Sequence, residues 1–301
     1  MHGFLRAEAR RKQQQEQKQE THAGKLPNSP PPATIPALIR LPGDPRVTKH
    51  DEEVAWARLT AAEIQARARP ETVVLIPTAS IEQHGPHLAT GVDMWLASAV
   101  AERTARKLQA AGTPALVTPC IWSGLADHHM PFGGTLTLDI HGFAAVVGGI
   151  ARSVARHGFR RIGLVNGHGG NVEAIFTAAI ELTKSLGVPV VGVTYWQAAA
   201  DRFAAILETQ TNVQHACEAE TSMVMAVQPD GVRADNIARA VPKRAVPPAP
   251  PGFKRHRGFI EMTDTGVLGD PRAASAEKGE RLLEAAASRI AEEMARPELW
   301  A

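Results

Sequence analysis

Glu82, His84, His87 and Asp93 fall within twelve positions, in the stretch Glu82-Gln-His-Gly-Pro-His-Leu-Ala-Thr-Gly-Val-Asp93. Hard carboxylate oxygens and imidazole nitrogens at that density suit a divalent cation. In an extended segment residues two apart face the same side, so Glu82 and His84 can converge on one point. His87 comes three steps later and past Pro86, so it need not face that point and reads as a supporting residue. Two further groups share the chemistry: Asn166-Gly-His168-Gly-Gly-Asn171, and His215-Ala-Cys-Glu218-Ala-Glu220-Thr-Ser222. If a helix begins at the third group, His215 and Glu218 share a face. Glu220 then lies about 200° from Glu218 at about 3.6 residues per turn, which favours Glu218 as the ligand. Carboxylates also suit the first turn of a helix for its dipole alone. The glycines of the second group could cradle a phosphate, so a phosphate- or nucleotide-binding module on Gly167 to Gly170 is the non-enzymatic alternative.

Side chains of this kind must be held by regular elements, and the chain supplies them in alternation. Val73-Val74-Leu75-Ile76 is a continuous apolar run, as expected of a parallel strand covered on both faces. A helical pattern capped by Asp93 runs to Gly112, followed by a short strand at Ala115 to Pro119 and a helix at Ile140 to His157. Arg161 to Asn166 is a third strand that opens into the second ligand group, a helix continues through Leu186, and Pro189 to Tyr195 is a fourth strand. Trp56 to Arg67, with Thr60 as N-cap, and a final helix from about Ala274 to Ala295 complete the set. The pattern predicts an α/β domain with a mainly parallel sheet, whose ligands gather beyond the carboxyl ends of the strands.

Residues 1 to about 35 are Gln/Lys/Glu-rich and then proline-rich, which predicts a solvated tail without the apolar core of a secretory signal. Residues 50–297 are expected to form a single domain, with a long irregular connection between Gln228 and Pro271 marked by Pro242, Pro247, Pro248, Pro250 and Pro251. Lys+Arg 33 against Asp+Glu 31 leaves a net charge of +2, which argues against nucleic acid as a partner. Two cysteines, Cys120 and Cys217, make no disulfide framework, so a reducing, cytoplasmic setting is expected. No apolar run approaches the roughly 20 residues that span a bilayer.

Taken together, the three groups resemble the creatininase, or creatinine amidohydrolase, family. Phe132-Gly-Gly-Thr135-Leu-Thr-Leu and the segment from Gly266-Val-Leu-Gly-Asp270 to Glu277-Lys-Gly279 add to the resemblance, which covers roughly residues 55 to 290. It implies a three-layer αβα sandwich with a binuclear centre of two divalent ions, zinc or manganese with iron also admissible. The implied reaction is hydrolysis of a non-peptide C–N bond in a small amide by metal-activated water. By motif, Glu82 and His168 would bind one metal, His84 the other, and Asp93 would bridge them. The family's remaining carboxylate follows the loop histidine by two positions, where this chain has Gly170. Glu218 is the natural replacement, and with Glu82 and Asp93 it would set three negative charges against two cations.

His215 resembles the family's catalytic histidine and would protonate the departing nitrogen, with Glu218 beside it. Cys217 is read as a small core residue. Trp196, His129 and Gly169 are the expected substrate contacts, and His128 is a further pocket-lining candidate. The family's tyrosine after the loop histidine is Gly169 here, and its pocket tryptophan has no equivalent in Thr211-Asn212-Val213-Gln214. The pocket should be roomier and less aromatic, which points away from creatinine. Relatives that act as deformylases or cleave short peptides supply the alternative, and the family implies a homo-oligomer, commonly a hexamer.

Overall fold

Six consecutive residues of one strand, β1 (Val73–Thr78), are buried, and the rest of the domain is arranged to cover them. In the computed structural model, which describes residues 52–243, 250, 253, 255 and 257–301, β1 pairs in parallel with β2 (Ala115–Val117) on one side. On its other side it pairs with β3 (Arg161–Asn166), which pairs with β4 (Val190–Thr194), giving the order β2-β1-β3-β4 with every strand parallel. The expected tail over residues 1–35 lies outside the described residues. All described residues fall in one unit, Arg40–Ala301.

Side-chain alternation along β1 builds two cores. Val73 and Leu75 face a cluster with Leu96, Val100, Met223, Leu282 and Leu283, contributed by α2 (Val92–Ala110), α5 (Glu218–Val227) and α6 (Ala276–Met294). Val74 and Ile76 face the opposite cluster with Phe143, Val147, Ile162, Leu164 and Ile175. Its helices are α1 (Ala61–Ala66), α3 (Ile140–Arg156) and α4 (Val172–Leu186). The result is the expected three-layer αβα sandwich. Each fully buried large aliphatic or aromatic side chain contributes about 1.5–3 kcal/mol as an upper estimate.

Local sequence explains the boundaries. Thr60 caps α1 in a reciprocal capping box with Glu63, Asp139 caps α3 through Gly142 N at 2.7 Å, and Ser275 caps α6 through Lys278 N at 3.2 Å. Trp56–Arg58 forms a separate 3-10 turn rather than the first turn of α1, and Gly91 rather than Asp93 is the cap position of α2. The connection between Gln228 and Pro271 carries short helical turns at Pro229–Gly231, Ala234–Asn236, Ile237–Ala240 and Phe259–Met262.

Connections from β1 and β3 leave toward opposite faces, since α2 covers one side of the sheet and α4 the other. The gap between the carboxyl ends of β1 and β3 is therefore the switch point at which such sheets hold ligands. Gly167 N donates to Thr78 O at 2.8 Å and ties those two strand ends together.

Candidate metal centre

Beyond Thr78, the chain from β1 turns through Ile81, which bridges Leu136, and Glu82 N donates to Thr90 O at 3.1 Å. This loop delivers Glu82 and His84, both buried, while the first turn of α2 delivers Asp93 from beneath. Beyond β3, Asn166 shapes the second loop: its Oδ1 accepts from His168 N at 3.0 Å and its Nδ2 donates to His168 O at 2.8 Å. Asn171 closes that loop against its neighbours, accepting from Leu125 N at 3.0 Å and donating to Ala79 O at 3.2 Å. With His168 N–H engaged by Asn166, the loop offers less to a phosphate than its glycines suggested.

Four of the expected ligands meet at one point. His168 Nδ1 lies 2.9 Å from Glu82 Oε2 and 2.9 Å from Asp93 Oδ2, and His84 Nε2 lies 3.1 Å from Asp93 Oδ1. Asp93 thus presents one oxygen to each histidine, the placement expected of a bridging carboxylate. Glu220 Oε2 stands 3.8 Å from His84 Nε2, and it accepts from Ala216 N at 2.5 Å. Glu82 Oε1 faces His129 Nε2 at 3.1 Å and His215 Nδ1 at 3.5 Å.

Burial opposes every charge here, so the groups set one another's protonation. Burial would drive His84 down, but Asp93, then Glu220 and Glu82, outweigh it and hold its pKa at about 9. His168 is likewise raised well above its ordinary value by Glu82 and Asp93 against burial. Asp93 is lowered, because His84 and His168 overcome its burial, whereas burial leaves Glu82 raised and lifts Glu220 to about 7. Burial, followed by the neighbouring imidazoles, pushes His215 and His129 below the ordinary histidine range.

Three buried carboxylates surround His84 and His168 and demand positive charge, which protons on these rings supply and divalent cations would supply instead. Glu82 Oε2 and His84 Nε2 are buried without an aligned hydrogen bond, although His168 Nδ1 and Asp93 Oδ1 stand 2.9 and 3.1 Å away. Donor atoms of Glu82, His84 and Asp93 lie within 4.8 Å of one another, as do those of His84, His215 and Glu220. The donor set is of the kind that can hold a divalent ion.

Glu218 is the expected ligand and catalytic residue that the structure places elsewhere. Its carboxylate accepts from Glu208 N at 3.1 Å and from Thr209 N at 2.8 Å and Oγ1 at 2.6 Å, and it is paired with Lys278 Nζ. The helical-face inference failed because Ala216 adopts φ 55° and Cys217 is extended, so α5 starts at Glu218 and His215 stands outside it. Glu220, rather than Glu218, is the carboxylate of this helix that faces His84. Gly170 could not carry the missing carboxylate: a Cβ there would lie 2.1 Å from Leu125 O and 2.5 Å from His168 Nε2.

A cavity of about 340 Å³ opens over the cluster, lined among others by Glu82, Asp93, His129, His168, Gly169, Trp196, His215, Glu220 and Phe259. The three expected substrate contacts, Trp196, His129 and Gly169, therefore border it, and His128 does too. His87 lies apart, with Nε2 bonded to Thr221 Oγ1 at 2.9 Å, and Cys217 is a buried core residue. Phe259 is an addition; its ring centroid is 3.9 Å from that of His129 and 4.7 Å from that of His215. No sequence pattern marked it, since it lies within the Gln228 to Pro271 connection read as irregular. A larger cavity, about 740 Å³, lies against α3 between Trp56 and Trp122, and no member of the cluster lines it.

Comparison with known proteins agrees with this architecture. Residues 57–294 match the family model described as Creatininase: Creatinine amidohydrolase. The mycofactocin precursor peptide peptidase of Mycobacterium tuberculosis is 33% identical over 217 residues, covering 70% of this chain and 80% of its own. Creatinine amidohydrolase of Pseudomonas putida is 33% identical over 262 residues, covering 80% of this chain and 96% of its own. Among solved structures, creatininase Mn superposes with a TM-score of 0.66 at 30% identity, covering 80% of this chain and 96% of its own. A mutant creatininase of Zn–Zn type gives 0.65 at 30% identity, covering 79% and 96%. The chain belongs to the creatininase family of hydrolases.

Proposed function

We propose that the chain is a metal-dependent hydrolase of an amide C–N bond in a small substrate, with a linear amide preferred over a compact ring. The observation that carries this is the buried meeting of Glu82, His84, Asp93 and His168 at 2.9–3.1 Å, at the switch point of the sheet. Two divalent ions, one held by Glu82, Asp93 and His168 and the other by His84, Asp93 and Glu220, would supply Lewis acidity and activate water there. Zinc and manganese are the ions to test, in keeping with the solved creatininases.

The remaining chemistry belongs to side chains. His215 Nδ1 faces Glu82 at the cavity wall, where it can hold a proton and deliver it to the departing nitrogen. Phe259, Trp196, Val213 and Leu268 give that wall apolar surface that limits access of bulk water. Gly169 leaves one side open, since a Cβ there would meet nothing within 4 Å. This open side supports a linear substrate, and a terminal peptide bond is the second form of the same chemistry. A homo-oligomer is part of the proposal and is checked by light scattering.

The test is to strip the purified chain with a chelator, reload it with zinc or manganese, and assay creatinine, N-formyl and N-acyl amines, and short peptides. Hydrolysis of a linear amide that disappears on chelation and returns with metal supports the proposal. Absence of stoichiometric metal after loading, or turnover indifferent to the chelator, defeats it.

A further inference from the structure

Donor atoms of Glu82, His129 and His215 also lie within 4.8 Å of one another, so a further cation could in principle be held by this group. Gln83 decides against it. The orientation of its side-chain amide is fixed by backbone: Oε1 accepts from Gly85 N at 2.9 Å and Nε2 donates to Gly266 O at 3.0 Å. The seat is built for that amide, because Gly266 sits at φ 78° and a Cβ on it would fall 2.1 Å from Gln83 Oε1.

A carboxamide nitrogen carries two hydrogens. One goes to Gly266 O, and the other goes to His129 Nδ1 at 2.9 Å. His129 Nδ1 must therefore be an acceptor, so its hydrogen is on Nε2, the nitrogen 3.1 Å from Glu82 Oε1. With both amide hydrogens committed, none is left for His215 Nε2, which lies 3.2 Å from Gln83 Nε2 and 2.7 Å from Gln83 O. His215 Nε2 donates to that carbonyl. Its hydrogen is then also on Nε2, and its bare Nδ1 is the atom 3.5 Å from Glu82 Oε1.

We infer that Gln83 is a positioning residue that fixes both imidazoles as Nε2–H tautomers, so that Glu82 meets an N–H from His129 and a bare nitrogen from His215. His129 thereby turns its N–H side toward the Glu82 carboxylate, 3.1 Å away, and the Glu82–His129–His215 group does not take a cation. His215 Nδ1 is left as the basic nitrogen facing the cavity. The significance of that nitrogen rests on the hydrolase proposal above; the tautomers themselves do not.

The test is a two-bond ¹H–¹⁵N correlation spectrum of the full chain with labelled histidine, metal-free and zinc-loaded, with signals assigned through His129→Gln and His215→Gln. Wild type should show the Nε2–H pattern for both residues in the metal-free chain. In Gln83→Glu the new carboxylate can only accept, so His129 should move its hydrogen to Nδ1. In Gln83→Met, which keeps the length but has no N–H, His129 should lose its fixed tautomer. Zinc affinity in chelator competition should fall between about tenfold and a hundredfold in both variants, as expected when the outer partner of a ligating carboxylate is no longer oriented toward it.

An Nδ1–H signal for His129 in wild type overturns the inference and needs no variant to fold. An unchanged His129 tautomer in Gln83→Glu and Gln83→Met, or undiminished zinc affinity, overturns it equally. A chain that binds no zinc at all fails the hydrolase proposal, while the metal-free spectra still judge this one.

Discussion

Lys278, on α6, reaches the carboxylate of Glu218, on α5, and the two form a buried ion pair. That pair occupies Glu218 with structure and leaves Glu220 as the α5 carboxylate that faces His84, at 3.8 Å. Glu220→Gln should therefore lower the metal content toward one ion per chain and reduce turnover, with little loss of stability. Glu218→Gln should keep the metal and instead cost on the order of 1–3 kcal/mol, because it leaves the buried Lys278 ammonium only the exposed Glu208 carboxylate, 3.0 Å away, as counter-charge. Elemental analysis and urea unfolding of both variants separate the roles. Loss of metal in Glu218→Gln with full occupancy in Glu220→Gln would reverse the assignment.

Position 170 makes a second prediction that runs against simple restoration of a family carboxylate. A side chain there would press on Leu125 O at 2.1 Å and on His168 Nε2 at 2.5 Å. Gly170→Ala should destabilise the chain by about 1–3 kcal/mol, as overpacking does, and should lower metal affinity by tilting His168. Gly170→Glu should do worse. Thermal unfolding and zinc competition measure both, and a Gly170→Glu protein with tighter zinc binding would contradict the packing.

Much of this site was legible because the chemistry is local. The apolar run at Val73 fixes where β1 ends, and Glu82, His84 and Asp93 follow at once; Arg161 to Asn166 likewise runs straight into His168. The choice between Glu218 and Glu220 was not legible. It depended on where α5 starts, and an alanine gives no notice that it will take φ 55°. It depended equally on Lys278, sixty positions away, a partner that no local pattern names. Gln83 was passed over because strict alternation turns it away from Glu82 and His84. The loop is held instead by contacts from Thr135 and Gly266, which bring Gln83 into the same cluster.

The Glu218–Lys278 pair also fixes a pH dependence. Burial pushes Glu218 up, but hydrogen bonds from Lys278, Thr209 and the Glu208 amide outweigh it and hold the carboxyl below its ordinary 4.5. A depressed folded pKa contributes stability above the unfolded value and loses it as pH falls through the folded one. Lys278 is raised above 10.5, burial being outweighed by Glu218 and Glu208, so its share is present below that value and fades as pH rises past the folded one. The stability gap between wild type and Glu218→Gln should accordingly be full near about pH 7 and shrink below about pH 4. Urea unfolding at both pH values reads the gap directly; a gap that widens in acid would contradict the pairing.

His215 gives the sharpest division between holding a metal and using it. Its Nε2 is tied to Gln83 O at 2.7 Å, which orients the ring without help from a cation. The ring packs against Phe259 with centroids 4.7 Å apart and against His84 at 4.2 Å, so its position is secured from two further sides. A residue fixed in this way and needed for proton transfer should be separable from the ligands. His215→Gln should retain wild-type metal stoichiometry while turnover falls by about 10²–10⁴, the usual contribution of a positioned acid or base. Metal analysis beside steady-state kinetics on whichever amide the panel identifies decides it. Parallel loss of metal and activity would make His215 a ligand, and full activity with metal retained would move the proton transfer to another group at the cavity wall.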